Sequence, residues 1–380
     1  MKKVLLIPDS FKGTMSSTEI CSIMASSIHK FYPDAQVIPI PVADGGEGSV
    51  DAFLSAVGGV KEKVTVKGPF FEDIPSFYGI LKTSAPTPKT AVIEMASCAG
   101  LPLVEGRADP EKTTTYGAGQ LIQAALQAGC TRIVMGLGGS STNDGGCGAA
   151  AALGASFFDK AGKIFVPTGG TLKDIAKIDV SGVNPALKKA ELVSMCDIDN
   201  PLYGDTGAAH IFGPQKGADP EMVKSLDAGL VHLAEAVQRD LGLDLASMPG
   251  AGAAGGMGYG MKVFLGSALQ MGIQTVLDTV KFDDLLKGAD MVFSGEGKID
   301  TQSLRGKVVI GIAGRTQKAG VPLIAVVGDI GDNIDAAYGL GVSAIFSINR
   351  VAVEYPQARL RAKSDLSLTM DNILRFSRLF

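Results

Sequence analysis

No apolar run in this chain approaches the 18 residues that would suggest a membrane-spanning helix. Its first apolar stretch, Val4–Ile7, is too short for the apolar core of a signal peptide and reads as a buried strand. There is no basic domain. The net charge is −4 and the isoelectric point is near 5.5, so nucleic acid is not an expected partner. Histidine is scarce: His29, His210 and His232 are scattered, which argues against a zinc site. The five cysteines (Cys21, Cys98, Cys130, Cys147, Cys196) are odd in number and widely spaced, with no C-x-x-C. A reducing cytoplasm is the expected setting. No G-x-x-x-x-G-K-[ST] occurs, so the chain is not a P-loop enzyme. Fixed-period repeats and low-complexity linkers are also missing.

What the chain has in abundance is glycine, 49 residues in 380, beside a hydrophobic content of 46%. That composition suits a globular α/β protein with compact turns, and the length predicts two domains. Five glycine-rich turns stand out, most of them carrying acids: Asp9–Gly13, Asp44–Gly48, Gly136–Gly146, Gly250–Gly260 and Gly295–Asp300. Glycine lets backbone N–H groups approach a ligand, and helix N-termini aim them at anions. Carboxylates among them can hold magnesium or take a proton. Together they point to an enzyme that moves phosphate.

The periodicity predicts a βαβα start. Lys3–Pro8 is a strand, Ser16 and Glu19 form a capping box, and Ile20, Ile23, Met24, Ser27 and Phe31 follow at helical spacing. Gln36–Val42 and a helix through Val50, Phe53, Leu54 and Val57 complete it. The last third repeats the pattern, with strands at Asp290–Ser294, Val321–Gly328 and Val342–Ile348. Its tail sets Leu366, Met370, Ile373 and Leu374 on one helical face. The middle reads as hairpin-rich at Val64–Val66, Phe77–Leu81 and Thr90–Met95. Further strands follow at Arg132–Leu137 and Glu191–Cys196, and a long helix starts at Pro220 behind Asp219. The expected fold is therefore α/β: a Rossmann-like parallel-sheet domain (1–63 plus 285–380) interrupted by an inserted second α/β domain (64–284). The competing arrangement is two sequential domains split near residue 190.

In an open parallel sheet, ligands sit beyond the carboxyl ends of strands. Lys12, Asp44, Glu47, Glu296, Asp300 and Asp329 fall on such turns in the expected first domain. Asp44 and Asp329 are also placed to cap helices, and a loop lysine such as Lys12 is often only solvated. In Gly136–Gly146, the residues Gly138, Gly139, Ser140, Ser141, Thr142, Asn143 and Asp144 make either an anion cradle or a tight turn that permits close packing. Gly250, Gly252 and Gly255 match G-x-G-x-x-G, but no strand precedes them, so a dinucleotide fold is not indicated. With Gly256 they read as a phosphate nest, a hinge or packing. Asp197 and Asp199 after Cys196 form a corner for magnesium or a hydroxyl, or ordinary turns before Pro201. Thr113, Thr114 and Thr115 read as a helix cap.

Taken together the strings are more specific. PDSFKG (Pro8–Gly13), ADGGEG (Ala43–Gly48), GLGGSSTNDGG (Gly136–Gly146), CDIDNPL (Cys196–Leu202), FGPQKGA (Phe212–Ala218), GAGAAGG (Gly250–Gly256) and GEGKID (Gly295–Asp300) keep one order along the chain. In this the chain resembles the bacterial glycerate kinases of the glyoxylate- and galactarate-pathway type. Two departures are mild: Ser141 where Ala is commoner, and Lys298 where Arg is commoner. The resemblance implies ATP-dependent phosphorylation of D-glycerate with magnesium, and two α/β domains with the site in the cleft between them. It also implies a 2-phospho-D-glycerate product. A 3-phosphate product, a kinase of another small hydroxy acid and a non-catalytic small-acid binding protein stand as alternatives. On this reading Lys12 anchors the substrate carboxylate, and Asp44 or Asp197 orients or deprotonates the attacking hydroxyl. Ser10 and Glu47 join Lys12 and Asp44 in binding substrate. Gly138–Asp144 with Gly252, Gly255 and Gly256 cradles the nucleotide, and Glu296 and Asp300 hold magnesium. Monomer and homodimer both remain open.

Overall fold

The apolar run Val4–Ile7 forms the strand Lys3–Pro8, and all four of its apolar side chains are fully buried. A strand covered on both faces belongs inside a parallel sheet. It pairs in parallel with Gln36–Pro39 on one side and Met291–Gly295 on the other. Leu323–Val327 and Ala344–Ser347 extend the sheet in parallel beyond Met291–Gly295. The chain thus leaves Lys3–Pro8 toward one edge and resumes on its other side. The winding reverses between the two strands Lys3–Pro8 and Met291–Gly295, and the crevice beyond such a reversal is where open parallel sheets bind ligands.

The structure, a computed structural model, describes residues 1–42, 45–83, 87–301 and 303–379. Asp44, the leading candidate for the base, lies outside the described residues. The helix Ser17–Phe31 opens with the expected capping box: the Glu19 amide donates to Ser16 Oγ at 3.2 Å, and the Ser16 amide donates to Glu19 Oε2 at 2.9 Å. Its Ile20, Met24 and Ile28 join Val4, Leu6 and Phe293 in one core cluster. The C-terminal helix Tyr355–Ser377 adds Leu366, Met370, Ile373 and Leu374 to the same cluster.

A second sheet runs in the order Ala268–Gln270, Glu191–Met195, Arg132–Gly136, Thr90–Glu94, Asp73–Leu81, Gly59–Lys67. The first four strands are parallel, and the last two form an antiparallel hairpin. That hairpin is longer than its apolar pattern suggests, with Gly59 opposite Leu81 and Lys67 opposite Asp73. The edge strand carries exposed Lys61, Glu62 and Lys63, charges that protect an edge from further pairing and mask it in the sequence. The helix Pro220–Leu241 is capped by Asp219, whose Oδ1 accepts the Met222 amide at 2.8 Å, and it buries Val223, Leu226, Leu230, Leu233 and Val237. A small sheet of Ser156–Phe158, Ile164–Phe165 and Lys177–Asp179 has strands too short to be read from periodicity.

The chain divides into two compact units: Met1–Ala43 with Ser55–Val57 and Ile273–Phe380, and Asp44–Leu54 with Gly58–Gly272. Residues 58–63 fall in the second unit because Gly59–Lys67 is committed to its hairpin. Residues 273–284 fall in the first, where Arg315 Nη2 donates to Gln274 Oε1 at 3.0 Å and Arg315 Nη1 to Asp283 Oδ2 at 3.4 Å. Among the described residues, no helix is long and apolar enough to cross a membrane.

Candidate active site

In the first unit, three strand-end turns are laced together at the reversal. The Asp9 amide donates to Gly295 O at 2.8 Å, the Gly328 amide to Glu296 O at 3.1 Å, and the Asp329 amide to Gly297 O at 3.1 Å. Asp9 turns its Oδ1 onto the Ser10 amide at 2.6 Å. Phe11 is buried beneath the first turn, and its amide reaches Met15 O at 2.9 Å. Ser10, Lys12, Thr14, Ser16 and Glu19 line a surface depression there, and Lys12 is exposed. Asp329 uses its own Oδ1 on the Ile330 amide at 3.0 Å, so it serves its own turn.

Glu296 is the distinctive acid of this unit. It is buried, and among the described residues its Oε1 has no hydrogen-bond partner. Burial pushes its carboxyl up to about 7; the Ser303 hydroxyl pulls it back, and Asp9 and Asp300 raise it further. Asp300 is half-buried and closes its own turn, its amide donating to Ser303 Oγ at 3.2 Å. No cluster of three His, Cys, Asp or Glu able to hold a metal occurs among the described residues. Magnesium commonly takes only one or two carboxylates and completes its shell with water and substrate phosphates. An orphaned buried oxygen on Glu296 with Asp300 nearby fits that donor set.

In the second unit, the remaining glycine-rich turns converge. The Gly138 amide donates to Gly45 O at 3.0 Å, and a Cβ at Gly136 would lie 2.2 Å from that same oxygen. The Gly145 amide donates to Gly255 O at 3.1 Å, and a Cβ at Gly255 would lie 1.9 Å from Thr142 O. The Gly252 amide donates to Asn200 O at 3.0 Å. Gly252, Gly255 and Gly256 are all buried, so these glycines serve close backbone packing. The backbone at Ala254, Gly255 and Gly256 is left-handed, and the regular part of the helix Ala253–Leu265 begins after them. Asp197 is exposed, and its Oδ1 accepts the Gly272 amide at 2.7 Å.

Within Gly136–Gly146 the side chains divide. Gly139 is exposed and Gly138 half-exposed; Ser140, Ser141, Thr142, Asn143 and Asp144 are buried. Ser141 Oγ donates to Ala99 O at 2.9 Å. Asp144 is held by five donors: the Thr115 amide at 2.7 Å, Thr115 Oγ1 at 2.9 Å, the Gly146 amide at 3.1 Å, the Gly148 amide at 3.2 Å and, more weakly, Thr114 Oγ1 at 3.5 Å. Burial raises its carboxyl pKa, and these bonds oppose the rise. Of the threonines at 113–115, Thr114 does serve the helix Tyr116–Gln127, its Oγ1 accepting the Tyr116 amide at 3.2 Å. Thr115 sits at the N-cap without a cap bond because its hydroxyl is spent on Asp144, and Thr113 Oγ1 donates to Ser141 O at 2.9 Å.

Two polar residues in this unit carry weak sequence signals. Lys216, inside FGPQKGA, is wholly buried; its Nζ donates to Thr142 O at 2.6 Å, and burial pushes its pKa down to about 7 against the pull of Asp144. Glu94 is wholly buried at the end of Thr90–Glu94, where a lone acid closing an apolar run is its only mark in the sequence. Cys196 is no nucleophile by this geometry: burial raises its thiol, and its Sγ donates to Ile198 O at 3.4 Å.

Parallel strands ending in acid-bearing, glycine-rich turns define an α/β enzyme of the small-molecule class. The chain belongs to the glycerate kinase family, whose model matches residues 4–378. It is 42% identical to a protein of Escherichia coli (strain K12) named glycerate 2-kinase, over 91% of this chain and 90% of that protein. It is 41% identical to a Bacillus cereus glycerate kinase over 98% of this chain and 97% of that protein. The crystal structure of a putative glycerate kinase 2 from Salmonella typhimurium LT2 superposes with a TM-score of 0.86 at 37% identity, covering 100% of this chain and 98% of the other.

Proposed function

We propose that this chain transfers the terminal phosphate of ATP to D-glycerate and forms 2-phospho-D-glycerate. The observation that carries the reading is the 42% identity, at nearly full length, to a protein named for the 2-phosphorylating activity. The turns laced together at the strand reversal carry Ser10, Lys12, Glu296 and Asp300, which supports the roles given to these four residues.

Phosphoryl transfer depends on positioning and charge neutralisation more than on covalent help from the protein. In this reading Lys12 pairs with the glycerate carboxylate, and Ser10 and Glu47 bind its hydroxyls. Asp44 orients the attacking hydroxyl and accepts its proton as the new P–O bond forms and the bond to the β-phosphate oxygen breaks; Asp197 is the second candidate for that role. Gly138, Gly139 and Ser140 face the nucleotide phosphates. Ser141, Thr142, Asn143 and Asp144, with Gly252, Gly255 and Gly256, support that turn from behind. Glu296 and Asp300 would hold magnesium, which supplies positive charge for the phosphate oxygens. A cytoplasmic setting fits such a reaction.

The test is product analysis on the purified chain with ATP, magnesium and D-glycerate. Phosphorus NMR should show 2-phosphoglycerate and ADP in equal amounts. A 3-phosphoglycerate signal would overturn the regiochemistry, and no glycerate-dependent ATP consumption would overturn the activity. Lys12→Ala should raise the Michaelis constant for D-glycerate at least about tenfold, as loss of a charged contact implies; an unchanged value would remove Lys12 from the substrate site.

A further inference from the structure

The helix Ser49–Val57 begins without a local cap. Gly48 precedes it at φ +88° and offers no side chain. Its first amides are nevertheless satisfied by an acid from a different element. Glu94 Oε2 accepts the Gly48 amide at 2.6 Å and the Ser49 amide at 3.2 Å. Ser49 Oγ donates to Gly46 O at 2.6 Å, and Gly45 O accepts the Gly138 amide. The turn 45–49 is thus fastened at three points, and Glu94 is the only ionisable group among the side chains that make these bonds. Glu94 itself is 1% exposed. A carboxylate at a helix N-terminus accepts strong, charge-assisted bonds and favours the positive end of the helix dipole.

Burying an acid is costly unless it is bonded, and at φ +88° a Ser or Asp at position 48 would be strained, so the cap has to come from another element. The position is held by glycine, and Glu47 beside it is exposed. We infer that Glu94 is a positioning residue for D-glycerate: its carboxylate fixes the 45–49 turn and so places Glu47. This rests on the reading in which that turn binds substrate. The charged groups facing Glu94 are Asp51 on the helix it caps and Lys61 on the hairpin edge, which pair with each other at 2.8 Å. Burial pushes the Glu94 carboxyl up to about 6, the Gly48 and Ser49 amides lower it, Asp51 raises it and Lys61 lowers it. The anchoring form is therefore ionised above about pH 6 and lost below it.

The experiment uses the full chain and its Glu94→Gln and Glu94→Asp variants. With ATP and D-glycerate, Glu94→Gln should lower kcat/KM for D-glycerate about tenfold, the effect of losing bonds to a charged group. The Michaelis constant for ATP should stay within about twofold, because the 140–146 turn keeps its own bonds to Ala99 and Thr115. Glu94→Asp should recover part of the loss. Equal changes for both substrates, or no change for either, would overturn the positioning role. Hydrogen exchange at the Gly48 and Ser49 amides of the unaltered chain, corrected for intrinsic rates, gives an answer even if a variant does not fold. Protection should fall as the pH drops through about 6; protection independent of pH would overturn it. A wild-type chain inert toward D-glycerate but showing that exchange profile would refute the substrate reading and leave the anchor in place.

Discussion

Asp144 and Glu296 are both buried acids in turns that follow parallel strands, one in each unit, and their surroundings could hardly differ more. Asp144 is saturated: four N–H and O–H donors lie within 3.2 Å of its oxygens. Among the described residues Glu296 keeps Oε1 without a partner, and it sits among Asp9 and Asp300, with the Ser303 hydroxyl and the Lys307 charge opposing them. Burial alone does not separate a structural acid from one held for a ligand; the number of donors does. Asp144 pins Thr115 and the start of the helix Cys147–Ala152, so its carboxylate is committed to the fold. Glu296 has lone pairs to give away.

The sharpest break of that comparison is Asp144→Asn. An amide keeps the shape but sets its own NH2 against backbone donors, stranding buried groups. The expected loss is about 3 kcal/mol of folding free energy, read as a lower urea midpoint. A loss under about 1 kcal/mol would mean that Asp144 is not the hub its bonds suggest. The converse variant is Glu296→Gln. Its stability should hold or rise slightly, while turnover with ATP and D-glycerate falls about 100-fold, the range for removing one preorganised electrostatic group. A destabilised but fully active Glu296→Gln would reverse the two assignments.

The sequence made some of this visible and hid the rest for physical reasons. Long-period signals were legible: Ser16 with Glu19 at the first helix, the stripe from Val223 to Val237 behind Asp219, and the four-residue apolar run at the first strand. The turns were legible as turns, because glycine clustering marks them directly. What they do was not. Gly252, Gly255 and Gly256 read as a phosphate nest, a hinge or packing, and the neighbours that show their close packing are distant in sequence: Thr142 O and Asn143 beside Gly255, Pro201 O beside Gly252. Thr115 looked like a cap because local spacing cannot show a carboxylate 29 positions away. Glu94 and Lys216 leave little trace in the sequence for the same reason, since each acts on a segment distant in sequence, Gly48 in one case and Thr142 in the other. Asp44 lies outside the described residues, so its role stands as a proposal.

Two further predictions concern pH and have opposite signs. Glu296 has its carboxyl raised from 4.5 to about 7, so the folded chain keeps a proton that the unfolded chain has released. Its contribution to stability is complete below about pH 4.5 and is lost as the pH climbs through 7. Thermal unfolding should therefore show a midpoint that falls over that window, and Glu296→Gln should flatten the fall; an unchanged slope in the variant would place the titration elsewhere.

Lys216 runs the other way, over a wider span of pH. Burial lowers its pKa from 10.5 to about 7, so above pH 7 the folded chain holds it neutral while the unfolded chain still binds a proton. Folding is then penalised in acid, and stability rises with pH from about 7 toward 10.5. The rise should be read as a higher Tm across that window, where about 1 kcal/mol moves the midpoint of domains this size by about 2–4 °C. Lys216→Met removes the titration and should leave a flat profile above pH 7, at the cost of one lost bond to Thr142 O. A variant that keeps the wild-type slope would show that the Lys216 ammonium stays charged in the fold, held by Asp144. The two buried groups would then form an ion pair, and Asp144 would owe part of its role to charge as well as to its donors.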